Sequence, residues 1–383
     1  MNLYRCQLLI LVFLHLPVLA NEPEYSWPGL DVSTEHFSAE IKLRAQLRHT
    51  IEEPPSLGPT DPNKIRESRV NRSRIKIGGK AGLTGLTYYT EYDFPSHRLL
   101  DLRFTLNTTR DWLNFRLGQW KVPYNRERVD SSGKQQFADR SIANRWFTLD
   151  RQRGALLFGR IGSGSAFDSS YSLGLLEGAG RNGKGEVDTP MWLARWDWNI
   201  TGAELAFSQS DTDYQENPGG VLSLLTASYR GSYTAFSSAG GGSLPGYDVG
   251  TEDQYRVRQY AVESAYQFHG FSWQQEYHTK TISDTRSGRK QKVHGGYAQV
   301  GFFPHGRWTT LPRQLEFALR YAHVDPVSSA DHDSETEVTF GVNWFFSGHD
   351  NKLSFDYTDG RERQHDGRDA RYHIIRLQWD FHI

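Results

Sequence analysis

Apolar and polar residues alternate with a period of two through most of this chain. Ile41, Leu43, Ala45 and Leu47 interleave with Lys42, Arg44, Gln46 and Arg48. Leu102, Phe104 and Leu106 interleave with Asp101, Arg103 and Thr105, and Ile375, Leu377, Trp379 and Phe381 with Arg376, Gln378, Asp380 and His382. Successive side chains of a strand point to opposite faces, so each segment carries one apolar and one polar face. Beyond residue 20 no stretch sustains the 3.6-residue period of a long amphipathic helix, and none approaches the ~18 consecutive apolar residues of a spanning helix. The pattern predicts an all-β chain, either a soluble sandwich or a closed barrel.

Two features favour a transmembrane antiparallel β-barrel. The chain carries 11 Trp, 19 Tyr and 21 Phe, many at the ends of apolar faces, where lipid-interface girdles sit. The connections also alternate in length. Short turns are predicted at 82–85, 199–202, 269–270 and 347–350, and long polar loops at 52–66, 121–153, 177–189, 237–254, 283–291, 324–334 and 360–370. Short turns on one side and long loops on the other are the barrel pattern. Counting strands with both ends on the same side gives about 18, with 221–236 read as one strand or as a hairpin turned at Arg230-Gly231.

Residues 1–20 read as an export signal: Arg5 precedes an apolar run, and Val18 and Ala20 suit a peptidase site. The expected mature chain starts at Asn21, with a periplasmic segment over 21–37 and the barrel over 38–383. The single cysteine, Cys6, falls in the leader, so stability must come from backbone pairing rather than disulfides. A net charge of -1 gives no reason to expect nucleic-acid binding. No HExxH, GxSxG or cysteine–histidine arrangement appears. Asp331, Asp333, Glu335 and Glu337 read as a solvated loop rather than a metal site, and no cofactor is expected.

With the apolar face to lipid, Lys42, Arg44, Arg48, Arg72, Arg74, Lys76, Arg103 and Arg116 fall on the inner face of the early strands. The long loop 121–153 adds Lys121, Arg126, Arg128, Lys134, Arg140, Arg145, Arg151 and Arg153 against Glu127, Asp130, Asp139 and Asp150. Charges around a narrow aqueous path set ion selectivity, and arginine forks suit oxyanions. Thirteen of these cations are therefore the expected anion pathway: all eight wall residues, with Lys121, Arg126, Arg128, Lys134 and Arg140 of the loop. The later wall is mixed, with Glu263, Glu276, Glu316, Asp356 and Asp380 beside Arg258, Lys280, Arg320 and Arg376.

Four segments carry a family resemblance. Gly118-Gln119-Trp120-Lys121-Val122-Pro123-Tyr124, followed by Glu127, Ser131 and Phe137-Ala138-Asp139-Arg140-Ser141, resembles the phosphate-selective porin O and P family. So do Tyr255 to Tyr277, Leu315 to Pro326 and Val338 to Tyr357, in the family's order. The resemblance implies a barrel of about 16 strands rather than 18 and a long inward-folding loop. It further implies a homotrimer in the Gram-negative outer membrane, passing small anions such as phosphate among outer-membrane lipid and lipopolysaccharide. A general, weakly selective porin is the alternative that the acidic later wall favours. An outer-membrane enzyme or an adhesin stands as a non-transport alternative.

Overall fold

The computed structural model describes residues 30–34, 36–56, 64–82, 85–182, 189–236, 242–326, 334–363 and 369–382. The expected export signal, its cleavage site, Asp331 and Asp333 lie outside them.

Among the described residues there are seventeen strands: β1 Leu30–Ser33, β2 Ser38–Ser56, β3 Ile65–Lys80, β4 Leu86–Asp93, β5 Arg98–Asn107, β6 Asn114–Lys121, β7 Arg151–Ile161, β8 Ser169–Leu176 and β9 Met191–Trp198, then β10 Gly219–Gly231, β11 Tyr255–Phe268, β12 Phe271–Asp284, β13 Lys290–Phe302, β14 Leu315–Asp325, β15 Glu335–Ser347, β16 Asn351–Arg363 and β17 Asp369–His382. Strands β2 to β17 pair antiparallel with their sequence neighbours, and β17 pairs back onto β2 (Leu377 opposite His49, Trp379 opposite Leu47). The ring therefore closes with sixteen strands, as the resemblance implies. The extra strand, β1, folds onto the start of β2 outside the ring. The count of 18 fails for want of a hairpin at Arg230-Gly231, because β10 is one strand.

The faces fall as alternation predicts. Leu43, Leu47, Phe104, Leu117, Trp196, Leu224, Phe340 and Trp379 are outward and exposed, while Arg44, Gln46, Arg48, Glu263, Glu316, Asp356 and Asp380 are buried inside. A bulge at Asn71 (Gln46 opposite Arg72, Leu47 opposite Val70) sets the phase of β3 below it. Gly118 and Gly154 face each other on β6 and β7 with φ of 122° and 157°. A Cβ at either would lie 2.2 or 2.1 Å from a neighbouring carbonyl oxygen. Glycine thus permits the close strand contact at the root of the long loop.

Three expectations are corrected. The segment 199–202 does turn, Gly202 N donating to the Asn199 carbonyl at 2.9 Å, but it is not a hairpin. The chain runs to 218 before β10 begins, making a long connection on the short-turn side. Arg258 faces outward, exposed beside Tyr260, rather than into the lumen. The connection expected over 283–291 shrinks to the five residues 285–289, because β12 and β13 continue outward. On this topology, Leu224→Arg should destabilise the barrel by about 2–4 kcal/mol if Leu224 lies near mid-bilayer. Ser172→Arg, on the inner face of β8, should be tolerated. Unfolding titrations in phospholipid vesicles check both; equal losses would mean that the faces are misassigned.

Candidate functional site: the lumen and its inward loop

Residues 122–150 fold into the barrel and carry two short helices, α1 Arg126–Val129 and α2 Ile142–Phe147. Trp120, Val122, Tyr124, Trp146, Phe147 and Leu149 form one buried cluster with Leu193, Leu225, Tyr229, Val257, Ile282 and Val293. Part of the inner wall from β9 to β13 is thus apolar, matched to the loop that covers it.

Polar contacts fasten the rest. Arg126 N donates to Glu263 at 2.8 Å, the Phe147 carbonyl accepts from Gln259 at 2.9 Å, and Ala138 N donates to Asp356 at 2.8 Å. Gln136 Nε2 donates to Ser272 and Glu316, both at 2.8 Å. Arg48 holds Asp139 at 2.6 Å, and Arg44 spans Ser132 (2.8 Å) and Asp380 (2.9 Å). The anchors run from β11 round to β17 and β2. A crescent stays open between the loop and the wall from β3 to β9.

That crescent contains a cavity of about 600 Å³. Its wall includes Lys76, Tyr89, Arg103, Arg116, Lys121, Phe158 and Ser172, and the loop contributes Pro123, Val129 and Ser131. A belt of ion pairs spans wall and loop at the outer end. Arg74 meets Glu91 (2.7 Å) and Asp93 (2.8 Å), Arg151 meets Asp101 (2.9 Å) and Asp150 (3.8 Å), and Arg128 meets Asp150. Burial alone would push the Asp150 carboxyl up, but Arg128 and Arg151 beside it hold it below the usual range. Removing one partner of a buried pair strands the other charge, at a cost of roughly 3–5 kcal/mol, so the belt is fixed.

The cations predicted from sequence divide into two groups. Arg74, Lys76, Arg103, Arg116 and Lys121 line the cavity. Arg103 stacks over Tyr89 (4.8 Å) and Arg116 over Phe158 (5.0 Å), with Arg116 Nε donating to Thr105 at 3.1 Å. Lys121 Nζ donates to the Asp130 carbonyl at 3.3 Å. Among the described residues no carboxylate pairs with Lys76, Arg103 or Arg116.

The others stand elsewhere. Arg44, Arg48 and Arg128 are buried in the tethers, Arg72 donates to Gln46 at 2.6 Å, and Lys42 pairs with Glu40 at 2.7 Å. Arg140 donates to the carbonyls of Glu127 (2.8 Å) and Asp130 (2.9 Å). Lys134 has an exposed side chain. The sequence reading also omitted wall residues that line the cavity, among them Arg160, Arg195 and Asp197. Arg195 sits between Glu263 (2.9 Å) and Asp197 (2.7 Å).

Sequence reasoning missed the floor of the lumen. The connection 199–218 rises to meet the inward loop. Gln209 N donates to the Lys134 carbonyl (3.1 Å), and Gln136 N donates to Gln209 Oε1 (2.9 Å). Ser210 donates to Glu316 at 3.0 Å. Arg126 donates to the Ala206 carbonyl and stacks over Phe207 at 4.7 Å, while Phe207 and Glu204 border the cavity.

A closed sixteen-strand antiparallel ring with an exposed apolar outer face, a charged lumen and an inward loop defines a channel-forming membrane barrel. Residues 241–382 match the family model described as phosphate-selective porin O and P, so the resemblance read from sequence stands over that part; 118–141 lie outside the match. No curated protein matches the sequence. Solved structures show the same fold. In-vitro-folded OmpT of Vibrio cholerae aligns with a TM-score of 0.60 at 10% identity, over 92% of this chain and 99% of that one. The anion-selective porin from Comamonas acidovorans aligns at 0.59 and 10%, over 91% and 100%. The outer membrane channel DcaP of Acinetobacter baumannii aligns at 0.57 and 11%, over 93% and 99%. These likenesses show a shared fold, the porin-type membrane barrel, and the family match extends over residues 241–382.

The double variant Phe207→Ala, Gln209→Ala should loosen the floor and roughly double single-channel conductance, since pore width governs flow. Phe207→Tyr should leave conductance as it is. Bilayer recordings check both, with heat-modifiable gel migration as the folding control.

Proposed function

We propose that this porin passes small anions by passive diffusion along the crescent, phosphate and related oxyanions among them. One observation carries the reading: Lys76, Arg103 and Arg116 share the cavity, and no described carboxylate pairs with them. Stacking on Tyr89 and Phe158 leaves guanidinium edges as donors, and a confined path focuses their field on passing ions. Ten of the thirteen predicted cations act in one of two ways in this reading; Lys42, Arg72 and Lys134 do neither. Lys76, Arg103, Arg116, Lys121 and Arg74 face the permeating ion, while the tethered arginines hold the loop. The family match over 241–382 supports an anion pathway, as does the likeness in fold to the anion-selective porin from Comamonas acidovorans.

A specific observation favours a weakly selective porin as the second reading: Glu91, Asp101, Asp111, Asp197 and Glu204 border the same cavity. Export by the 1–20 signal, maturation at Asn21, and assembly as a homotrimer among lipopolysaccharide complete the proposal. One OmpT structure of Vibrio cholerae is described as a trimer form.

Reversal potentials in a salt gradient separate the two readings. The wild-type channel should prefer chloride over potassium, and added phosphate should partly block the chloride current. Arg103→Glu with Arg116→Glu should shift the reversal potential toward cations and weaken the block. Both effects should shrink at 1 M salt, where the Debye length is ~3 Å. A wild-type reversal potential near zero would leave the weakly selective porin standing.

A further inference from the structure

Most cations of the barrel point inward, but one sector of its outer face is basic. Residues 230, 256 and 258 on β10 and β11 share the outward parity of Leu224, Tyr260 and Val262, and 290 and 292 on β13 share that of the outward face there. Pairing puts them together. Arg230 stands opposite Arg256, Arg256 opposite Ser283, and Ser283 opposite Lys290. Two residues further down, Ser228 stands opposite Arg258, Arg258 opposite Thr281, and Thr281 opposite Lys292. With strands about 4.8 Å apart and two residues rising about 7 Å, five cations and three hydroxyls occupy a patch the size of one lipid headgroup.

The height of the patch indicates its occupant. The tight turn at 269–270 closes the far end of β11 and β12, so the patch lies at the long-loop end, the outer side of a barrel. Directly below it are Tyr260 (56% exposed), Val262 and Leu224, lipid-facing and apolar. Charges just above an apolar band sit at headgroup level. Arg230 reaches Asp253 at 3.0 Å. Among the described residues the other four cations have no ion pair. All five side chains are exposed, so the surrounding leaflet must supply their counter-charge.

We propose that Arg256, Arg258, Lys290 and Lys292, with Arg230 at the rim, form a docking site for the phosphates of a phosphorylated glycolipid in the outer leaflet. Arginine forks grip phosphate oxygens by two parallel donors, the flanking hydroxyls of Ser283 and Thr281 add donors, and the acyl chains lie along Tyr260 and Leu224. The site faces away from the lumen and is independent of the ion path.

The test places the full-length mature protein in phosphatidylcholine nanodiscs doped with diphosphoryl lipid A or with its dephosphorylated form. Native mass spectrometry reads the bound lipid. Binding should require the phosphates. Arg256→Gln with Arg258→Gln should weaken it at least about tenfold, since each basic residue near a charged lipid surface is worth roughly fivefold. Arg361→Gln with Arg371→Gln, outward on β16 and β17, should change it little. Conductance and reversal potential should match wild type in both variants, and heat-modifiable migration confirms folding. Equal affinity for dephosphorylated lipid, equal loss in the two variants, or a second protein copy at the patch in place of lipid would overturn the proposal. None of these results bears on anion selectivity, which the reversal potential decides.

Discussion

In hydrocarbon there is no water to satisfy a backbone amide, and each unpaired group costs several kcal/mol. Pairing of β17 with β2 meets that demand for the whole sheet, because it removes the two edges an open sheet would leave. Closure also fixes what can be inside. With every strand of the ring committed to two neighbours, side chains alternate between lipid and lumen except at bulges. The lumen must then fill with polar groups, or with chain that covers apolar ones.

Both solutions occur, on different sides of the barrel. From β9 to β13 the inner wall presents Leu193, Leu225, Val257, Ile282 and Val293, and the aromatic side chains of the inward loop cover them. From β3 to β8 the wall is mostly polar and uncovered, and water and ions have room there. The off-centre conduit follows from where the loop finds its apolar and carboxylate partners. The segment 199–218 supports the loop from the opposite end, so the inner chain is clamped between two attachments.

The sequence made much of this legible and hid the rest for identifiable reasons. Strand polarity is a local property, so the faces of β2, β5 and β17 and the charge of the long loop could be read directly. Ion pairing is not local. Arg48 finds Asp139, and Arg44 finds Asp380, across 91 and 336 positions, so nothing near either arginine tells a tether from a free lumen cation. Arg258 was misplaced because β11 is apolar on both faces, with Val257 and Ala261 inside and Tyr260 and Val262 outside. Alternation of polarity then cannot choose a side. The floor was missed because Asn199 to Gly202 has the chemistry of a complete turn, and only the later packing of Leu205, Gln209 and Ser210 shows that the chain has further to go.

Arg44 joins the two ends of the barrel and, through Ser132, also grips the loop. The seam and the anchor are the same side chain, which ties assembly order to pore shape. Asp380, near the last strand's end, must arrive before that grip is complete. A nascent barrel whose final strand has not yet zipped onto the first holds the loop by fewer contacts, and its interior is wider. Closing the seam and completing this grip on the loop are therefore one event, and a chain truncated shortly before Asp380 would lose an edge pairing and a narrowing contact together.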